Sequence, residues 1–179
     1  TMQLPAVISR KFSKSRLWEI LAKYNCTTLN LLGGMTTAIF AEPAGRFDRA
    51  HNVRFVLSAG MPAAMWQEFA DRFGVEIFEF YGTAEGGLLL NPPPDARIGS
   101  IGKPPPGTEC AVLDEHDNPV ADGELGQLCF RNSDGTVAPV EYYRNAGASA
   151  EKTQGGWFRS GDIGWRDADS WFYFSHRMG

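Results

Sequence analysis

A chain of 179 residues has room for one large domain or one and a half small ones, and it is long enough to bury a real core. With 43% hydrophobic and 21% charged residues it has a globular composition, and a net charge of -4 offers no basic footprint, which argues against nucleic acid as a partner. The apolar runs all stop short of the ~20 residues a membrane span needs, and the first eight residues lack the basic and apolar regions of a signal peptide, so a cytoplasmic protein is expected.

The first half reads as alternating strands and helices. Residues 5–9 form a short apolar run expected as a strand, and Ser13 is a plausible N-cap for a helix whose stripe is Leu17, Ile20, Leu21 and Tyr24. Thr27 to Leu32 reads as a second strand running into Gly33-Gly34-Met35, which implies parallel pairing with a right-handed crossover. The pattern repeats with a strand at Val53–Leu57, a loop at Ser58–Met61, Pro62 at a helix start, a buried stripe of Trp66, Phe69, Ala70 and Phe73, and Gly74 as a C-cap. A strand from Val75 to Tyr81 follows.

Three loops, at Gly33-Gly34, at Ser58–Met61 and at Gly82–Glu85, are thus expected after the carboxyl ends of parallel strands, the edge where open α/β sheets bind ligands. The third is the richest in chemistry. Tyr81 offers a flat face for a purine, Gly82 allows close backbone approach, Thr83 brings a hydroxyl, and Glu85 brings a hard carboxylate suited to magnesium. Glycines after strands are also ordinary turn chemistry, and the weight lies on finding all three loops on one edge.

Beyond Leu90 the composition changes. Asn91-Pro92-Pro93-Pro94-Asp95 reads as a rigid connector, so the expected division is a nucleotide- and acyl-binding α/β part over 1–91 and a β-rich part over 92–179. Short strands are expected at Ile98–Ile101, Cys110–Leu113, Leu125–Arg131 and Gly156–Arg159, with one helical turn at Val140–Asn145 and a closing hairpin of Ile163–Arg166 with Trp171–Ser175. Strands at this spacing suggest a small antiparallel β-barrel or curled sheet. The fold class is therefore α/β, a parallel sheet with flanking helices followed by a small antiparallel β-barrel-like part.

Two blocks carry a family likeness. Tyr81-Gly82-Thr83-Ala84-Glu85 resembles the Tyr-Gly-x-Thr-Glu signature of the adenylate-forming enzymes, a superfamily of acyl-CoA synthetases, adenylation domains and luciferases. Gly156-Trp157-Phe158-Arg159-Ser160-Gly161-Asp162 resembles its Gly-Trp-(Phe/Tyr)-x-Thr-Gly-Asp block, followed by a hinge segment with an arginine, here Arg177. The likeness spans nearly the whole chain, about Ala6 to Arg177. It implies that Asp162 accepts hydrogen bonds from the ribose hydroxyls of ATP with Arg177 beside it, chemistry that a carboxylate and a guanidinium can supply. It also implies adenine on Tyr81, phosphate contact by Thr83 and magnesium on Glu85. Gly60, Met61 and Pro62 resemble a loop along the adenine or the acyl group, and Gly33, Gly34 and Met35 are expected to line the acyl pocket.

The function so implied is an acyl-CoA synthetase, joining a carboxylic acid to coenzyme A through an acyl adenylate, with a lean toward fatty-acyl and carnitine-type ligases. The alternatives are a degenerate nucleotide-binding homologue and a peptide-synthetase adenylation domain; a dinucleotide-binding domain is disfavoured because no GxGxxG follows a strand. Two departures matter. Ala84 stands where the family has Thr, and the chain contains neither a phosphate loop nor a lysine-bearing downstream domain, so it reads as a middle fragment that should not turn over alone. Cys26, Cys110 and Cys129 share no metal spacing and read as buried thiols. His51, His116 and His176 read as structural or surface residues, and the five tryptophans as core.

Overall fold

The computed structural model describes residues 5–178. They form two compact units, one ending at Phe78 and the other starting at Glu79. The fold class is α/β, a parallel sheet with flanking helices followed by an antiparallel sheet.

In the first unit, β1 (Thr28–Leu32) pairs in parallel with β2 (Phe55–Ala59), in a register that sets Leu31 opposite Ser58. Between them runs α2 (Met35–Phe40), a helix that the sequence reading did not separate from the glycine loop before it. The stripe of α3 (Trp66–Phe73) forms as its spacing predicts: Trp66, Phe69 and Phe73 are buried, and Gly74 closes the helix at a left-handed φ of 66°. A one-turn 3-10 helix, Ala63–Met65, precedes it with Pro62 in extended conformation at its cap. The core is aromatic. Trp18 stacks on His51 at 4.5 Å and on Phe73 at 4.4 Å, and Phe73 meets Phe69 edge-on. Each Phe buried to this extent contributes about 1.5–3 kcal/mol.

Two expectations at the start of the chain fail. Residues 5–9 join no ladder among the described residues, and Ile8 is 90% exposed, so the short apolar run buries nothing that would hold it as a strand. The first helix, α1, is Leu17–Lys23, with Arg16 rather than Ser13 at its cap; Ser13 instead closes a turn by accepting from the Arg16 N–H. Leu21 is buried as expected, but Trp18 replaces Leu17 as its buried partner, because the indole packs into the aromatic column; Tyr24 is left exposed.

The strand β3 (Glu76–Thr83) starts beside β2, where the Glu76 N–H donates to Arg54 O at 2.8 Å, and runs on into the second unit. It reaches Thr83, so Gly82 and Thr83 are not a loop. Ala84-Glu85 make a two-residue turn to β4 (Gly86–Asn91), which returns antiparallel to β3. A succession of small residues looks like a loop in the sequence, but the ladder pairs Gly82 with Leu88 and Thr83 with Gly86, leaving Gly87 as a bulge.

The second sheet is antiparallel with order β5 (Thr108–Leu113), β6 (Gly126–Asn132), β7 (Phe158–Arg166), β8 (Phe172–Arg177). It is an open four-stranded sheet over a core of Leu89, Val112, Leu128, Phe130, Phe158 and Phe172. Residues 98–101 are not a strand. Ser100 is tied to the Phe172 carbonyl through its hydroxyl, and the residues just after this stretch, Gly102 and Lys103, make isolated bridges to Phe172 and Leu90. The strand expected at Gly156–Arg159 starts at Phe158 and is continuous with the hairpin strand after it. The helical turn expected at 140–145 is displaced into α4 (Ala146–Lys152), where the Asn145 side chain accepts from the Ala148 N–H as an N-cap. None of the helices described is long and apolar enough to cross a membrane.

Candidate nucleotide site

The second unit brings together the two blocks that the sequence singles out. Asp162 lies on β7 opposite Arg177 on β8, and it is 4% exposed. Its backbone is fixed by Ser160, whose Oγ donates to Leu128 O at 2.7 Å and accepts the Asp162 N–H at 3.0 Å. Gly161 between them has a φ of 80°, and its carbonyl accepts from the Met178 N–H. A buried carboxylate needs partners. Tyr81, at the far end of β3, supplies one: its hydroxyl donates to Asp162 Oδ2 at 2.5 Å. The Arg177 guanidinium stands 3.8 Å from Oδ1, too far for a hydrogen bond but close enough to offset the charge.

Tyr81 is held from a second side. Its ring lies nearly parallel to Phe130, with 11° between the planes and 5.9 Å between centroids. Burial, and then the bond to Asp162, pushes the phenol above its ordinary range, so Tyr81 stays a neutral donor. Phe130 in turn lies against the Gly87 bulge, where a Cβ would come within 2.7 Å of the ring.

Glu85 sits in the hairpin turn. Its Oε1 accepts from the Tyr142 hydroxyl at 2.6 Å. That bond, more than the Lys152 and Arg177 charges nearby, holds its carboxyl below the usual carboxylate range. Thr83 Oγ1 donates to Gly86 O and so closes the hairpin. The β3–β4 register shifts by one residue between Gly82 and Thr83, just before Ala84.

In the first unit, the two glycine loops follow the carboxyl ends of β1 and β2 and touch. The Gly33 N–H donates to Ala59 O at 2.8 Å, and a Cβ on Gly60 would lie 3.5 Å from Gly33 Cα. Met61 is buried, Gly34 caps α2 and Pro62 caps the 3-10 turn. Thus Gly33, Gly34 and Met35 form one cluster with Gly60, while Tyr81, Glu85, Asp162 and Arg177 form another.

Three contributors escape a reading by motif: Tyr142, Lys152 and Phe130. The Lys152 ammonium donates to the carbonyls of Arg159 at 2.9 Å and Ser160 at 3.1 Å, pinning the strand just before Asp162. The available signal was Asn145, a cap residue placed directly after Tyr142-Tyr143-Arg144. Among the described residues no three His, Cys, Asp or Glu side chains gather as a metal cluster. Of the three thiols read as buried, Cys129 is buried, and burial pushes it up to about 12, while Cys26 and Cys110 are only half-buried.

Comparison with known proteins adds to this geometry. The family described as AMP-binding enzyme matches residues 4–139. A sulfoacetate--CoA ligase of Cupriavidus necator is 35% identical over 178 residues, which is 96% of this chain and 34% of that protein. A crotonobetaine/carnitine--CoA ligase of Salmonella paratyphi B is 31% identical over 176 residues, again covering 96% and 34%. The chain therefore spans about a third of the length of these relatives. Among solved structures, a benzoate CoA ligase from Burkholderia xenovorans LB400 superimposes with a TM-score of 0.81 at 26% identity, over 92% of this chain and 34% of its own. The anthranilate CoA ligase AuaEII in complex with anthranoyl-AMP gives 0.80 at 28% identity, over 92% and 32%.

Proposed function

The chain belongs to the AMP-binding enzyme family, and we propose that, as part of a longer protein, it forms the nucleotide-holding segment of an ATP-dependent acid–thiol ligase. The whole protein would join a carboxylic acid to ATP, release pyrophosphate, and pass the acyl group from the adenylate to the thiol of coenzyme A. The reading rests above all on the bond between the Tyr81 hydroxyl and Asp162, which unites the two signature blocks. The names of the relatives, both CoA ligases, favour a thiol acceptor over a peptide-synthetase role. The cytoplasm is the compartment this reaction implies.

Each residue has a task that its surroundings support. Asp162 is buried and aimed by Tyr81, and its remaining lone pairs suit a vicinal diol, so it would hold the ribose. Arg177, with a side chain 68% exposed, is free to turn from Asp162 toward the nucleotide. Tyr81, backed by Phe130, is rigid enough to position the base, and Thr83 with Gly82 would lie along the phosphates. Gly33, Gly34, Met35, Gly60, Met61 and Pro62 would border the acyl group. Most of the rate gain would come from orientation and from charge stabilisation at the α-phosphate.

Magnesium suits the donors present. A single ionised carboxylate, Glu85, with no further acidic cluster among the described residues, matches an ion that keeps waters and takes its other ligands from phosphate. When bound, the ion would neutralise phosphate charge; Glu85 would be its protein ligand.

The test is ATP–pyrophosphate exchange by the whole protein over a panel of carboxylic acids, with Asp162→Ala as control. Acid-dependent exchange that falls at least about tenfold in the variant is expected. The departure at Ala84 favours one second reading, a homologue that binds nucleotide without activating an acid; ATP binding without exchange for any acid would select it. The 179-residue chain alone is expected to form no acyl-CoA, and product from it would overturn the view that it is only a segment.

A further inference from the structure

Tyr142 lies 57 positions from Glu85, outside both signature blocks, and its hydroxyl reaches the Glu85 carboxylate at 2.6 Å. Its backbone is unusually well held for a residue in a loop. The Tyr142 N–H donates to Ser149 Oγ at 2.9 Å, and that hydroxyl donates to Asn145 O at 2.9 Å. The Asn145 N–H closes the turn on Tyr142 O at 3.1 Å, while the Asn145 side chain caps α4. Arg144 takes a φ of 53° inside this turn. At the other end of α4, Lys152 grips the carbonyls of Arg159 and Ser160, next to Asp162.

So α4 is tied at one end to the hairpin carboxylate and at the other to the strand that carries the ribose carboxylate. A glutamate in a tight turn has three free torsions, and the Tyr142 hydroxyl, itself braced by the helix cap, removes much of that freedom. Anchoring Oε1 leaves Oε2 to face a ligand in a fixed direction. From this geometry we infer that Tyr142, braced by the Asn145–Ser149 cap of α4, is a positioning residue that presents Glu85 to the magnesium of the bound nucleotide. The inference rests on the proposed nucleotide reading, but its contact with Glu85 can be tested without any nucleotide.

Two experiments decide it. In the 179-residue chain, a double-mutant cycle on unfolding with Tyr142→Phe and Glu85→Ala should be non-additive, with the phenylalanine change weakening folding by about three- to tenfold in the equilibrium constant only while Glu85 is present. Additive effects would overturn the inference whatever the protein binds. In the whole protein, ATP affinity is measured by displacement of a fluorescent nucleotide, with and without Mg2+. Tyr142→Phe should leave the magnesium-free affinity unchanged and reduce the magnesium-dependent gain by about five- to tenfold, because it removes one charge-assisted hydrogen bond. An equal loss with and without the ion would mark Tyr142 as packing only and overturn the positioning role. If the wild type shows no ATP affinity, the nucleotide reading falls and the magnesium half of this inference falls with it, while the unfolding cycle still decides the contact.

Discussion

The hydroxyl of Tyr81 donates to Oδ2 of Asp162 at 2.5 Å across 81 positions of the chain, and it is the shortest statement of how the second unit works. One residue sits near the end of β3, in the hairpin with β4, and the other in the middle of β7. The bond gives a buried carboxylate a neutral donor that burial keeps protonated, so its direction does not change over the working pH range. Replacing Tyr81 by Phe keeps the ring on Phe130 and removes only that donor. The expected result is a stability loss of about 1.5–3 kcal/mol in denaturant unfolding and an ATP affinity lowered at least fivefold in the whole protein, by roughly the worth of one charged hydrogen bond. With 2′-deoxy-ATP the loss should be smaller, because the aimed carboxylate then has one hydroxyl fewer to hold.

On the proposed reading, Arg177 would serve nucleotide binding more than folding. Its guanidinium is mostly exposed and stands 3.8 Å from Asp162, so as an ion pair it contributes little to the fold. Arg177→Ala should change unfolding by no more than about 0.5 kcal/mol while lowering ATP affinity about tenfold, roughly the contrast between a screened surface pair and a charge-assisted contact. Equal effects on both would remove Arg177 from the nucleotide contacts.

Two glycines five positions apart should respond very differently. A Cβ on Gly102 would fall 2.3 Å from the Leu90 backbone carbonyl, and φ is 109° there; a Cβ on Gly107 would meet nothing within 4 Å at a φ of 87°. Gly102→Ala then combines strain with a clash against backbone that cannot move aside, for a loss of about 3 kcal/mol. Gly107→Ala carries the strain alone, about 1 kcal/mol. Chemical denaturation of the two variants side by side measures the difference.

His51 makes the first unit sensitive to acid. Its Nδ1 accepts from the Val53 N–H at 3.2 Å and its Nε2 faces Asp48 O at 3.1 Å, which is the pattern of a neutral ring, and burial against Trp18 lowers its pKa from 6.5. Between that lowered value and 6.5 the unfolded chain binds more protons than the folded one, so stability rises with pH across this window and falls as pH drops through it. Thermal unfolding at pH 7.5 and pH 5 should show the acid loss in the wild type and a weaker one in His51→Asn.

By itself the sequence determined whatever depends on neighbours along the chain. The stripe of Trp66, Phe69 and Phe73, the left-handed Gly74 and the strands at β1, β2, β5 and β6 all follow from periodicity and turn chemistry, which act over a few residues. The two blocks ending in Glu85 and Asp162 were legible for the same reason, each being a contiguous run of residue types. Only the tertiary structure decided that β3 passes through Gly82 to Thr83 and turns back, because a strand is completed by its partner's hydrogen bonds and β4 supplies them. It likewise decided that Trp18 rather than Leu17 faces inward, that α4 forms beyond Tyr142, and that the Tyr142 hydroxyl reaches Glu85. Such contacts join groups dozens of residues apart, and no local preference encodes the partner; it is chosen when the burial of Leu128, Phe130 and Phe158 draws the strands into one sheet.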